Sequence, residues 1–305
     1  MNYIVAIPYD VGLAESIGKK GSENGITFFN RKEEGNVIVC LVPSDPDEKF
    51  YAVAEAVTLA DQVVLSTKEI DSKFGEALIA AKLLKKRVIF TNENDVSTIA
   101  KGIDYEVTER DMAIESIMRY RKETNNTAGE EASSVDSKVS VMLDRAFPVK
   151  GIGTVVLGFV RNGTVRVHDT LYHNSGKSAF VRSIQSQDVD VTEAARGTRV
   201  GLALKNLEYD EISKGDVLSS EHVGNVEELS AKLEMTKIGE EEIRQGKRYE
   251  LVSGFIVVDA EVLGWDSNTG VIRLGLAKGV PLVKGNEFVL IRSYMPRIFA
   301  KGEVV

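Results

Sequence analysis

The stretch Gly12-x5-Gly18-Lys19-Lys20, just after the first apolar run, holds the residue types of this chain that come nearest to a phosphate cradle. A working cradle reads Gly-x4-Gly-Lys-Ser/Thr: glycine amides hold the phosphates, the lysine reaches them and the hydroxyl binds Mg²⁺. Here the spacing is one residue too long, and the ammonium of Lys20 stands where the hydroxyl belongs. Pro8 removes an amide donor at the exit of the preceding strand. Such chemistry also needs an Asp-x-x-Gly, whose Asp reaches the metal and whose Gly amide meets the terminal phosphate. In its place stands Val42-Pro43-Ser44-Asp45-Pro46, and two prolines cannot supply that amide. Triphosphate hydrolysis is therefore not expected. Gly18-Lys-Lys-Gly21 reads instead as a solvated basic loop closing a short helix, or as a contact to an RNA backbone.

Other reactive groups are few. His168, His173 and His222 are scattered over turns and an interdomain segment without cysteine or carboxylate spacing, so no zinc site is expected. No nucleophile elbow is present. Cys40, the single cysteine, lies inside the apolar run Val37 to Val42 and reads as a buried, unreactive thiol. Trp265, before a Ser-Asn-Thr-Gly turn, reads as a half-buried hairpin aromatic, with a surface role against RNA or a ribosome as the alternative.

The elements that position these residues change character along the chain. Up to residue 123, short apolar runs alternate with helical patterns: strands at Tyr3 to Ile7, Gln62 to Ser66 and Arg87 to Phe90, helices at Phe50 to Ala60, Gly75 to Lys86 and Asp111 to Arg121. Alternation of this kind implies a mostly parallel sheet with helices on both faces. Residues 124–137 are polar and acidic with almost nothing to bury, and read as a linker. Beyond them the period switches to strand alternation, which predicts two small all-β units over 138–222 and 223–305. Asn162-Gly163 between two β-rich runs is the strongest short hairpin signal, because both residues tolerate the positive φ of a type I′ turn. Turns at Asn174 to Gly176 and Ser267 to Gly270 punctuate further strands. At 305 residues and 43% hydrophobic, the chain can bury the cores of several domains. Its net charge of −8 excludes broad basic adhesion to nucleic acid, so an RNA contact must be local; segment 138–222, with 11 basic and 10 acidic residues, suits it best. The absence of a long apolar run and of a basic leader points to a cytoplasmic protein with no membrane partner and no DNA partner, most simply a monomer.

Five blocks in order carry a resemblance: Asp144-Arg-Ala-Phe-Pro-Val-Lys-Gly-Ile-Gly-Thr-Val-Val-Leu-Gly158, Gly163-Thr-Val-Arg-Val-His-Asp169, Val181-Arg-Ser-Ile-Gln185, Gly197-Thr-Arg-Val-Gly-Leu-Ala-Leu204 and Lys214-Gly-Asp-Val-Leu218. They resemble domain II of translational GTPases, nearer to the selenocysteine-specific elongation factors than to ordinary EF-Tu. Lys284 to Ser293 and Pro296 to Gly302 resemble the barrel that follows in those factors. Glu23-Asn-Gly-Ile-Thr27 is similar to the family's switch-region Gly-Ile-Thr, and Thr91 to Asp95 to its guanine-reading Asn-Lys-x-Asp, with Glu93 in place of the lysine. The combination resembles the archaeal selenocysteine-factor-like proteins linked to pyrrolysyl-tRNA. It implies a degenerate P-loop GTPase-like α/β domain, two translation-factor β-barrels, and a nonenzymatic translation protein that needs neither GTP nor Mg²⁺.

The resemblance also implies a site. Asp144 falls at the family's acidic pocket residue, Phe147 at its aromatic and Arg199 at the polar residue opening a later strand, with Arg145 and Arg199 matching positions proposed to meet an ionised selenol. A carboxylate can accept from a ribose hydroxyl or an α-ammonium, and a ring can stack on a terminal base, so the implied partner is the 3′ end of an aminoacyl-tRNA, with the ribosome beside it. Phe147 reads equally as core, and Asp144 with Arg199 as an exposed salt bridge. Asp144 and Arg145 can share a pocket only where the strand is irregular, and Pro148 makes a bulge plausible. A vestigial nucleotide site would comprise Gly18, Lys19, Thr27, Asn92 and Asp95, the last two reading also as turn and capping residues. GTP turnover at such an unconventional site, and a docking adaptor without tRNA contact, are the rival functions.

Overall fold

The computed structural model describes residues 1–33, 35–47, 49–92, 95–119, 138–236, 239 and 241–305. The linker read over 124–137 lies outside the described residues, as do Glu93 and Asn94. By contacts the chain forms two compact units. One joins the N-terminal α/β region to the C-terminal barrel, and the other holds the middle all-β region.

In the first unit, strands Asn2–Ala6 (β1), Lys19–Glu23 (β2), Ile26–Glu33 (β3), Asn36–Pro43 (β4), Gln62–Ser66 (β5), Arg87–Thr91 (β6) and Tyr105–Thr108 (β7) make one sheet in the order β2-β3-β4-β1-β5-β6-β7. From β4 through β7 the pairing is parallel, while β3 runs antiparallel to both β4 and β2. Side chains alternate across a strand. Tyr3, Val5 and Ile7 therefore share one face with Ile38 and Cys40, and there meet Leu13 and Ile17 of the helix Val11–Ile17 (α1). Cys40 is fully buried, and desolvation pushes its thiol up to about 12. Segment 18–21 is not the expected loop. After α1 ends at Gly18 the chain enters the exposed edge strand β2. Gly18 is required by proximity, since a Cβ there would lie 2.7 Å from the Asn30 backbone.

Helices Tyr51–Leu59 (α2) and Ser72–Leu83 (α3) follow. α2 is buried from Ala52 to Leu59, so it is covered on more sides than a sheet alone can cover. The C-terminal barrel supplies the rest. Its strands are Val226–Met235, Arg248–Ser253, Ile256–Asp266, Val271–Val280, Glu287–Ile291 and Ile298–Val304. The Gly254 N–H donates to Thr58 Oγ1 at 3.0 Å, the Arg297 N–H donates to Glu76 Oε1 at 2.8 Å, and the Arg297 guanidinium lies 4.7 Å over the Phe50 ring. Trp265 is half-buried opposite Ile272, on the hairpin that turns at Gly270.

The second unit contains Ser140–Val149 (β8), Gly153–Asn162 (β9), Thr164–Arg166 (β10), Thr170–His173 (β11), Ser178–Ser186 (β12), Val189–Val191 (β13), Glu193–Ala195 (β14), Arg199–Lys205 (β15) and Val217–Ser219 (β16). Its main sheet runs β11-β16-β8-β9-β15-β12-β13, and β11 also pairs with β12, which brings the sheet round on itself. Val141, Leu143, Val156, Val200, Leu202 and Leu218 point into its core. The hairpin expected at Asn162-Gly163 does not form. Gly163 takes a positive φ, Asn162 does not, and β10 leaves β9 to pair with β14. The turns at 174–176 and 267–270 do close hairpins.

Candidate functional site

The β8–β9 ladder slips between Leu143 and Arg145: Leu143 faces Gly158, Arg145 faces Leu157, and Asp144 is the extra residue of a β-bulge. A bulge crowds the strands locally, and Gly158 makes room for it, since a Cβ there would sit 2.3 Å from Met142 O. The irregularity that Asp144 and Arg145 need to share a side of the sheet is therefore present. Arg199, first residue of β15, donates to Asp144 Oδ2 at 2.8 Å. The sequence left this pair as an exposed salt bridge; it is buried, with Asp144 1% and Arg199 9% exposed. The Arg199 guanidinium also lies 5.3 Å from the centre of the Phe159 ring.

Phe147 is half-buried and Arg145 exposed. Phe147 does not join the pair. It stands opposite Val155, whereas Arg199 stands opposite Phe159, four residues farther along β9. At about 3.3 Å per residue that is roughly 13 Å. Rows Arg145-Leu157-Gly201-Gln185 and Phe147-Val155-Ala203-Ser183 run across the outward side of β8, β9, β15 and β12. This side thus offers a desolvated carboxylate–guanidinium pair at one end, with an exposed arginine and a half-buried aromatic ring farther along. Phe159, the ring that does meet Arg199, was hidden by its place in an apolar run that reads as strand core.

The five residues proposed for a vestigial nucleotide site are not brought together. Gly18 and Lys19 lie past the C-terminal end of α1. Thr27 is buried in β3, its Oγ1 3.0 Å from Ser44 Oγ. Asn92 has a positive φ and donates from Nδ2 to Ser66 Oγ at 3.0 Å, and Asp95 accepts from the Ser97 N–H at 2.9 Å. Of the five, only Asn92 lines the cavity of about 800 Å³ at the ends of β1, β4, β5 and β6, which Tyr9, Asp10, Ser44, Lys68 and Arg110 line as well.

That position, outside the carboxyl ends of parallel strands, is where open α/β sheets hold ligands. Asp10 controls it. Its carboxylate caps α1 by accepting from the Leu13 N–H at 2.9 Å, and it takes both guanidinium nitrogens of Arg110, one at 2.8 Å. Burial pushes the Asp10 carboxyl up, but the bonds from Arg110 and Leu13 more than offset this and hold it below the usual carboxylate range. Burial and the neighbouring Glu76 push the Tyr9 hydroxyl far up, so it stays protonated. An Asp directly before a helical pattern is a capping signal, whereas nothing local marks Arg110 as its partner. Among the described residues, no cluster of His, Cys, Asp and Glu could hold a metal ion, and no helix is long and apolar enough to cross a membrane.

The mixed sheet, the closed C-terminal barrel and the bulged, ion-paired strand of the middle sheet make this a multi-domain protein of one α/β and two all-β regions. The family model for Elongation factor Tu domain 2 matches residues 153–219. The chain is similar to SelB/EF-Tu-like translation factors. It is 30% identical over 305 residues, 96% of each chain, to the uncharacterized protein MJ0325 of Methanocaldococcus jannaschii. To the selenocysteine-specific elongation factor of the same organism it is 29% identical over 220 residues, covering 63% of this chain and 46% of that factor. Its fold matches the crystal structure of translation elongation factor SelB from Methanococcus maripaludis in complex with the GTP analogue GppNHp, with a TM-score of 0.79 at 21% identity over 100% of this chain and 79% of that one.

Proposed function

We propose that this elongation-factor-like protein holds the acceptor end of a specialised aminoacyl-tRNA on the outward side of its middle sheet, and does so without hydrolysing GTP. The observation that carries this reading is the buried Asp144–Arg199 pair on a β-bulge, with Arg145 and Phe147 on the same strand. A guanidinium fixed by a carboxylate is a rigid donor array. Arg145 offers a cation to a phosphate, and Phe147 a face to a base. Arg199 and the ring lie four β9 residues apart along the strand direction and on opposite neighbours of β9, so they would serve different parts of the ligand: the pair the esterified end, the ring a neighbouring nucleotide.

Two features support the absence of turnover. Asp10 puts its own carboxylate at the start of α1, where it already takes the Leu13 N–H and the Arg110 guanidinium that a phosphate would otherwise meet. Pro8 and Pro43 line the same cavity and donate no amide. The test of the RNA contact is filter retention of aminoacyl-tRNA by the wild type, Phe147→Ala and Arg145→Glu. Loss of one stacked base is worth about 1–3 kcal/mol, a weakening of about 5- to 150-fold, and equal retention by all three rejects the site.

A second reading rests on the cavity of about 800 Å³ itself, which is large enough for a nucleotide. On that reading GTP binds unconventionally beside Asn92. Calorimetry with GTP and Mg²⁺ separates the two: heat that saturates with nucleotide favours the second, and none favours the first.

A further inference from the structure

The turn that joins β11 to β12 places a serine, a histidine and an aspartate in contact. His173 is buried at 2% exposure, and its Nδ1 lies 2.8 Å from Ser175 Oγ. The Ser175 N–H also points at Nδ1, at 3.3 Å, so this nitrogen is the acceptor and the ring proton sits on Nε2. Nε2 in turn lies 3.1 Å from Asp216 Oδ2, an electrostatic contact too bent for a good hydrogen bond. Asp216 is held in place by the Ser213 N–H at 2.7 Å and by Asn174 Nδ2 at 2.9 Å, while Asn174 Oδ1 accepts from the Val217 N–H at 2.8 Å. Burial pushes the Asp216 carboxyl up, but the contact with His173 and the bonds from Ser213 and Asn174 more than offset it, so the carboxylate stays ionised.

A hairpin turn needs none of this for its own closure. Gly176, at positive φ, already donates its N–H to His173 O at 2.8 Å. What the side chains add is a basic nitrogen, with its lone pair directed at an exposed hydroxyl and its far edge against a carboxylate. That is the arrangement by which a weak hydroxyl nucleophile is activated.

We infer that Ser175 is a nucleophile, activated by His173, that reacts with activated carboxylic esters. The Ser175 Oγ–carbonyl bond forms as the hydroxyl proton passes to His173 Nδ1. The ester C–O bond breaks, and the imidazolium returns that proton to the departing alkoxide. Water then attacks the acyl-serine by the same route, releasing the carboxylic acid and restoring the hydroxyl. Activated esters are the class this array suits, because their leaving groups need little further help. The inference is independent of the RNA-binding reading and stands or falls separately.

The experiment uses the full chain with p-nitrophenyl acetate, quenched in acid and read by peptide mass spectrometry. Ser267, exposed in another turn, is the internal control within the same molecule. The expected result is acetylation of Ser175 at least tenfold faster than of Ser267, with the excess nitrophenolate release abolished in Ser175→Ala. His173→Gln, checked for folding by circular dichroism, should lower the Ser175 rate at least tenfold, since a positioned base contributes about 10²–10⁴. Equal rates at Ser175 and Ser267 in the wild type overturn the inference, and that comparison needs no buried residue to be replaced. So does a folded His173→Gln protein that acetylates Ser175 at the wild-type rate.

Discussion

The guanidinium of Arg110 and the carboxylate of Asp10 meet as a two-pronged pair across 100 residues of sequence, at the point where α1 begins. The pair ties the segment after β7 to the loop after β1, and so frames the cavity that a ligand of this sheet would enter. It supplies internally the opposite charges that a bound anion and its counter-ion would otherwise bring.

Acid should undo this framing. The folded-state pKa of Asp10 is depressed, so its stabilising contribution is fully present above its unfolded value, about 3.9. It is lost as pH falls through the lower folded value. Asp10→Asn should flatten the acid limb of a thermal-stability profile below about pH 4 and cost about 1 kcal/mol or less at pH 7, since asparagine still caps a helix. An unchanged acid limb would show that the pair contributes nothing.

Breaking the buried pair on the middle sheet should be more damaging. Arg199→Ala removes the guanidinium that meets the buried Asp144 carboxylate at 2.8 Å, with an expected loss of about 3–5 kcal/mol in denaturant unfolding. The double replacement Asp144→Leu with Arg199→Met should recover most of that loss while abolishing RNA retention. A single mutant less than 1 kcal/mol below wild type would mean that the pair is solvated in solution.

Gly158→Ala tests the bulge itself. The added methyl meets Met142 O at 2.3 Å, so β8 must move, at an expected cost of about 1–3 kcal/mol. RNA retention should fall with it. A variant with full stability would show that the bulge relaxes freely.

Cys40 offers a check on the first sheet. With the thiol buried and pushed up to about 12, a thiol reagent at pH 8 should leave it unmodified in the folded protein and modify it rapidly in denaturant. Rapid native labelling would mean that β4 opens.

The sequence showed this architecture where a single periodicity decided it. The apolar runs that became β1, β4, β5 and β6 and the switch to strand alternation after residue 138 are local signals, and they lie where they were read. β2 escaped because its residues are almost all exposed and none is a large apolar side chain, which looks like a loop until β3 is seen to pair with it. β10 escaped because Asn-Gly speaks for a turn but not for which strand receives the chain afterwards. The candidate site divides in the same way. Asp144 and Arg199 were legible through resemblance, whereas their burial, the Phe159 ring beneath Arg199 and the reach of Arg110 to Asp10 are products of tertiary packing, and no spacing in the chain encodes them.

The most direct measurement is an equilibrium titration of the wild-type protein with one tRNA in two forms, aminoacylated and deacylated, followed by fluorescence of a label on the RNA with no nucleotide present. The expected result is binding of the charged form at least tenfold tighter than the uncharged, unchanged by added GTP and Mg²⁺. Equal affinity for both forms, or binding that appears only with GTP, would contradict the account.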